Sequence, residues 1–149
     1  MIIVQNESSD SFPSQYKKRQ WYQTLENIVR VLIDAWIPMD IAVILVDGTR
    51  MREVNRSYHG HDAVTDILSF YYEKDDSQDK AEGELYVCIA QLQRQAKRYS
   101  VSFQQEYARI LTHGFLHLHG YDHIKPRERL IMNSLAAKIL RTAKAKKLW

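Results

Sequence analysis

The sequence predicts an α+β fold, a small mixed β-sheet packed with helices. Three observations predict it. The continuous β-branched run "IAVILV" (41–46) has the composition of a buried strand. Apolar residues return at helical spacing over "SQYKKRQWYQTLENIVRVLIDAW" (14–36). Helical and strand patterns then mix without a strict βαβ rhythm. At 149 residues the chain is long enough for one real core and too short for two, so residues 1–149 are expected to form a single domain.

Taken in order, residues 1–5 read as a short strand. In the helix expected over 14–36, Trp21, Leu25, Ile28, Val29, Leu32, Ile33 and Trp36 form the apolar stripe. Pro38 punctuates before the strand at 41–46, and Asp47-Gly48 turns the chain. A short helix over 49–57 has only Met51 and Val54 on its apolar face. "TDILSFYY" (65–72) and "ELYVCIA" (84–90) read as strands flanking the acidic, polar stretch "EKDDSQDKAEGE", which reads as a solvated loop. Residues 91–99 form a helix with Leu92, Ala96 and Tyr99 inward. The next helix has Ser102 as its N-cap and Gly120 as its stop, with Phe103, Tyr107, Ile110, Leu111 and Phe115 or Leu118 inward. A last helix runs from about Arg127 into the tail "RTAKAKKLW".

Composition narrows the function classes. Cys88 is the single cysteine, which excludes an intramolecular disulfide and any cysteine-rich zinc site. The apolar run in "MIIVQNESSD" is too short for the core of a signal peptide, and no basic residue precedes it. No apolar run approaches the roughly 18 residues a membrane span needs. A soluble cytoplasmic protein with no membrane partner is expected. Net charge is +3, with Arg141, Lys144, Lys146 and Lys147 gathered in the tail. Such a tail suits phosphate backbones, and it equally suits a helix end whose lysines complement the dipole.

The densest chemical signal is "LTHGFLHLHGYDH" (111–123), which holds four of the six histidines. On a helix, His113 and His117 project from one face a turn apart. Gly120 can end that helix in a left-handed conformation and turn the chain back, which brings His123 toward the same point. His119 lies nearly opposite His117 and is not expected to share an ion. Histidines at i, i+4 and i+10, with glycine at i+7, have the spacing of the metzincin signature H-E-x-x-H-x-x-G-x-x-H. Three protein ligands leave a fourth position open, the arrangement of catalytic zinc; imidazoles without thiolate also suit nickel or copper. Gly114 stands where metzincins carry the glutamate base, so peptide hydrolysis by that route loses its proton acceptor. Zinc deamination of nucleobases fails as well, because it needs cysteine ligands.

The string "HGFLHLHGYDH" (113–123) resembles the H-G-x-L-H-L-x-G-Y-D-H motif of the YbeY family of metal-dependent endoribonucleases. "YHGHDAVTDILSF" (58–70) resembles that family's second signature, and "GELYVC" (83–88) looks like its Gly-Asp strand entry with Glu84 for aspartate. Glu128, Met132 and the pair Ile139-Leu140 sit where members commonly show Glu, Met and Ile-Leu. The resemblance covers most of the chain from residue 55 onward, with the two long motifs in the right order and separation. Gly114 is the family's own residue.

The resemblance implies a zincin-like α+β fold, with His113, His117 and His123 holding one Zn2+ per chain. It implies single-strand RNA cleavage in 16S rRNA 3′-end maturation and ribosome quality control. The partners would be ribosomal RNA and ribosomal particles, with no DNA partner expected. Asp122 would either orient a ligand histidine or stabilise the turn. Thr65 and Asp66 would shape the rim of the site. One departure stands out: His59 occupies the place of the family arginine that meets the RNA backbone, with Arg56 and His61 as neighbours that could compensate. Two other classes stay open at this point. One is a metallohydrolase acting on peptides or small substrates; the other is a non-enzymatic assembly factor whose metal locks the last helix.

Overall fold

The computed structural model describes residues 1–13, 18–76 and 79–149. Four strands form one sheet in the order β1-β2-β4-β3. They are β1 (Ile2–Asn6), β2 (Met39–Val46), β3 (Ile67–Tyr72) and β4 (Ala81–Cys88). β2 and β4 are central and pair in parallel, with Ile41 opposite Gly83 and Val43 opposite Leu85. β1 joins β2 in parallel, and β3 closes the other side antiparallel to β4. The mixed sheet expected from the sequence is therefore present, with its one antiparallel strand on an edge.

Among the described residues there are five helices: α1 (Arg19–Leu32), α2 (Gly48–His59), α3 (Ile89–Tyr99), α4 (Phe103–Leu118) and α5 (Pro126–Ala145). Apolar residues repeat at two-residue spacing along the strands, so each sheet face meets its own cover. Ile41, Val43, Leu45, Leu85 and Val87 share the main core with Leu25, Val29, Tyr107, Leu111, Phe115 and Ile139 of α1, α4 and α5. On the other face Ile44, Val46 and Cys88 meet Met51 of α2 in a smaller cluster.

The ends of these elements follow local chemistry, with instructive departures. Ser102 caps α4 through Gln105 N–H at 3.1 Å, as its sequence position suggested, and Asp47 caps α2 through Arg50 N–H at 2.9 Å. The first residues of the helix expected from residue 14 (14–17) lie outside the described residues. That helix ends at Leu32 rather than Trp36: Ile33 leaves helical geometry, and the chain extends toward Pro38 and β2. Trp36 still packs against the core, where it stacks on His119 with ring centroids 4.4 Å apart. β4 stops at Cys88, and Ile89 already belongs to α3, because a continuous apolar run does not mark where a strand yields to a buried helix. The basic tail folds back. Lys147 adopts a left-handed φ of 58°, Leu148 N–H donates to the Ala143 carbonyl at 3.1 Å, and the Leu148 side chain is buried.

Candidate metal centre

The site begins with the end of α4. Leu111, Phe115 and Leu118 face the core and set the helix's rotation, and His113 and His117 emerge partly buried beside them. The helix closes through a left-handed Gly120 at φ 86°. Gly120 N–H donates to the His117 carbonyl at 3.0 Å, and Tyr121 N–H to Leu116 at 3.0 Å. This turn carries Tyr121 onto the core and sends His123 back toward the helix.

The three imidazoles converge. His113 Nε2 and His117 Nε2 are 3.0 Å apart, and the ring of His123 lies 5.5 Å and 5.2 Å from theirs. One donor nitrogen from each of the three lies within 4.8 Å of the others. The donor set fits an ion: two nitrogens each bonded at 2.0–2.1 Å to one tetrahedral centre would stand about 3.3 Å apart. Protonation fits too. Burial, reinforced by His117 and His123, pushes the His113 pKa down to about 4, and burial with His123 lowers that of His117. Both rings therefore offer lone pairs at neutral pH, the form a metal requires.

His119 goes elsewhere, as its place on the helix predicted. It is 3% exposed, and its Nδ1–H donates to the Phe115 carbonyl at 2.7 Å. Asp122 Oδ1 accepts the His123 backbone N–H at 2.6 Å and lies 3.8 Å from His123 Nδ1. The carboxylate thus braces the turn that presents His123 and sits beside its imidazole.

A cleft of about 510 Å3 opens over the histidines. Its opposite wall combines His59, at the end of α2, with Thr65, Asp66, Ile67, Ser69 and Tyr71 of the edge strand and its approach. Arg56 and His61 do not line this cleft. Asp66 is held by its neighbours: Oδ1 accepts Ile67 N–H at 2.8 Å and Oδ2 accepts Gln95 Nε2–H at 3.1 Å. The contribution of Ser69 and Tyr71 was missed in the sequence. Strand alternation with Ile67 was the signal that could have found them, since all three share one face.

Gly114 has a spatial reason. A Cβ built there would lie 2.7 Å from Ile67 Cδ1 and 2.9 Å from Leu85 Cδ2. α4 therefore rests its backbone directly on the sheet, and a glutamate side chain has no room at this position. The protease-like spacing of the histidines survives on a helix whose proton-accepting position has been given over to packing.

A family model described as "Endoribonuclease YbeY" matches residues 3–144. The chain belongs to the YbeY family. A relative named Endoribonuclease YbeY from Ureaplasma urealyticum is 32% identical over 140 residues, covering 93% of this chain and 89% of that protein. Another of that name, from Thermodesulfovibrio yellowstonii, is 44% identical over 106 residues, covering 70% of this chain and 67% of its own. Among solved structures, the solution structure of TM1509 from Thermotoga maritima is similar with a TM-score of 0.61 and 25% identity, covering 99% of this chain and 95% of that one. The α+β, zincin-like architecture expected from the motifs is the YbeY architecture. No helix among the described residues is long and apolar enough to cross a membrane.

Proposed function

We propose that residues 1–149 form one zinc-dependent, single-strand-specific endoribonuclease domain. It acts in the cytoplasm on ribosomal RNA within ribosomal particles, in 16S rRNA 3′-end maturation and ribosome quality control. The observation that carries this reading is the convergence of His113, His117 and His123 in an open cleft, in a chain whose named relatives are endoribonucleases. One zinc ion per chain, held by these imidazoles, supplies Lewis-acid chemistry toward a phosphodiester.

The protein's own groups do the rest. Burial keeps His113 and His117 neutral. The brace from Asp122 to the His123 N–H holds the third imidazole in place. His59 lines the opposite wall, where the substrate backbone would run. Among the cleft residues, Asp66 is the single carboxylate, and its hydrogen bonds to Ile67 and Gln95 commit it to holding the entry of β3. RNA suits such a site better than a peptide does, because the 2′-hydroxyl beside each phosphate provides a nucleophile of its own. An unpaired strand also exposes that backbone to a cleft.

The deciding experiment incubates the purified chain with defined fragments spanning the 3′ region of 16S rRNA, with and without a chelator. Cleavage confined to unpaired segments, and lost on chelation, is the expected result. Turnover of peptides with RNA left intact would move the protein to the metallohydrolase class.

A further inference from the structure

We infer that Tyr58, His59 and Phe70 form a ledge on which an unpaired RNA base stacks beside the scissile phosphate, a role that rests on the endoribonuclease reading above. Side chains of β3 alternate across the sheet edge. Ile67, Ser69 and Tyr71 line the cleft, so Phe70 turns to the other face. There its ring meets Tyr86 edge-on at 5.8 Å. The last turn of α2 lies over the same face. Tyr58 approaches Phe70 at 5.0 Å, and His59 stacks on it at 5.7 Å with the planes 20° apart.

Three properties distinguish this cluster from ordinary core packing. Tyr58 is 66% exposed, and among the described residues its hydroxyl has no hydrogen-bond partner. By contrast, Tyr22 and Tyr107 are fully buried and their hydroxyls meet at 2.7 Å. The cluster is also continuous with the cleft, because His59 belongs to both. A base lying on the ledge would thus belong to a nucleotide flanking the phosphate at the histidines. The charges nearby favour a phosphate backbone as well. Asp62 is claimed by Arg52 through two contacts of 2.7 Å and 3.1 Å, while Arg56 reaches it only at 4.0 Å and remains largely exposed. Glu84, which pairs with Phe70 across the strands and shares its face, is engaged by the Tyr72 hydroxyl, which donates to it at 3.2 Å. Aromatic ledges accept any base with a free face and refuse bases already stacked in a duplex. The ledge therefore supplies single-strand preference without reading sequence.

The test compares two probes on the full zinc-loaded chain: a short 2′-O-methyl oligoadenylate, and an abasic oligomer of the same length and charge. Binding is followed by fluorescence anisotropy at fixed salt. Wild type should favour the adenylate. Tyr58→Ala should weaken its binding on the order of tenfold and leave the abasic oligomer unaffected, while Tyr58→Phe should bind as wild type does. Because Tyr58 is mostly exposed, these variants should fold, and an unchanged melting temperature verifies it. If Tyr58→Ala binds adenylate as wild type does, or weakens both oligomers equally, the ledge is overturned and the endoribonuclease reading stands on its cleavage assay. If wild type neither binds nor cleaves RNA, the endoribonuclease reading falls and the ledge with it.

Discussion

Replacing Gly114 with alanine tests whether the close approach of α4 to the sheet is what glycine serves. In an exposed helix interior this change would stabilise by about 1 kcal/mol, because alanine loses less backbone freedom. Here the new methyl would lie 2.7 Å from Ile67 Cδ1 and 2.9 and 3.2 Å from the two Leu85 Cδ atoms. Carbon atoms prefer about 3.5–4.0 Å, so the gap to Ile67 must open by roughly 0.8 Å. Ile67 borders the cleft and can yield toward it, but Leu85 is fully buried and cannot. Overpacking costs about 1–3 kcal/mol, and with Leu85 held in place the upper part of that range, about 2–3 kcal/mol, outweighs the gain in helix propensity. The expected net loss is about 1–2 kcal/mol, a fall in melting temperature of roughly 2–8 °C for a chain of this size. Urea and thermal unfolding of the chelated protein measure it, and zinc titration reports whether the displaced helix also weakens the site. An alanine variant as stable as wild type, or more so, would refute the account of Gly114 as a contact residue.

Further expectations concern the histidines. His117→Ala should abolish stoichiometric zinc by metal analysis, whereas His119→Ala should keep the zinc and lose about 2–3 kcal/mol of stability. The second variant removes a buried ring stacked on Trp36 and bonded to the Phe115 carbonyl; equal metal loss in both would mean the helix face is misassigned. Metal-free protein should lose stability as pH falls from about 6.5 toward the folded His113 value of about 4. The sign follows from the depressed folded pKa: in that window the unfolded chain binds the proton that the folded site refuses. A urea midpoint that stays flat between pH 7 and pH 4.5 would contradict it. His59→Arg should tighten RNA binding several-fold near pH 7.5, because guanidinium keeps its charge and offers paired donors to phosphate. Anisotropy at constant ionic strength measures this, and an unchanged affinity would remove His59 from the phosphate path.

Much of the centre could be read before any coordinates, and the reason is locality. The helix spacing of His113 and His117, and the left-handed turn at Gly120 that returns His123, are set by backbone geometry within eleven residues. The same local rules sent His119 to the opposite side, where it is buried. Ser102 announced its helix because a cap is a bond between near neighbours, whereas Asp47, read in the sequence as part of a turn, proves to cap α2.

What the sequence by itself determined, then, was the chemistry carried on single elements: three imidazoles on one helix and its turn, one cysteine, a mixed set of strands and helices. Only the tertiary structure decided which elements face one another. It placed β3 at the edge rather than beside β2, so that Ser69 and Tyr71 became a wall of the cleft. It also converted Gly114 from a missing base into a contact between α4 and Leu85. The end of α1 and the course of the tail were likewise decided at a distance, by the stacking of Trp36 on His119 and by the burial of Leu148. Strand order and helix docking depend on burying apolar faces against partners far along the chain, and periodicity records which face is apolar without recording what will cover it.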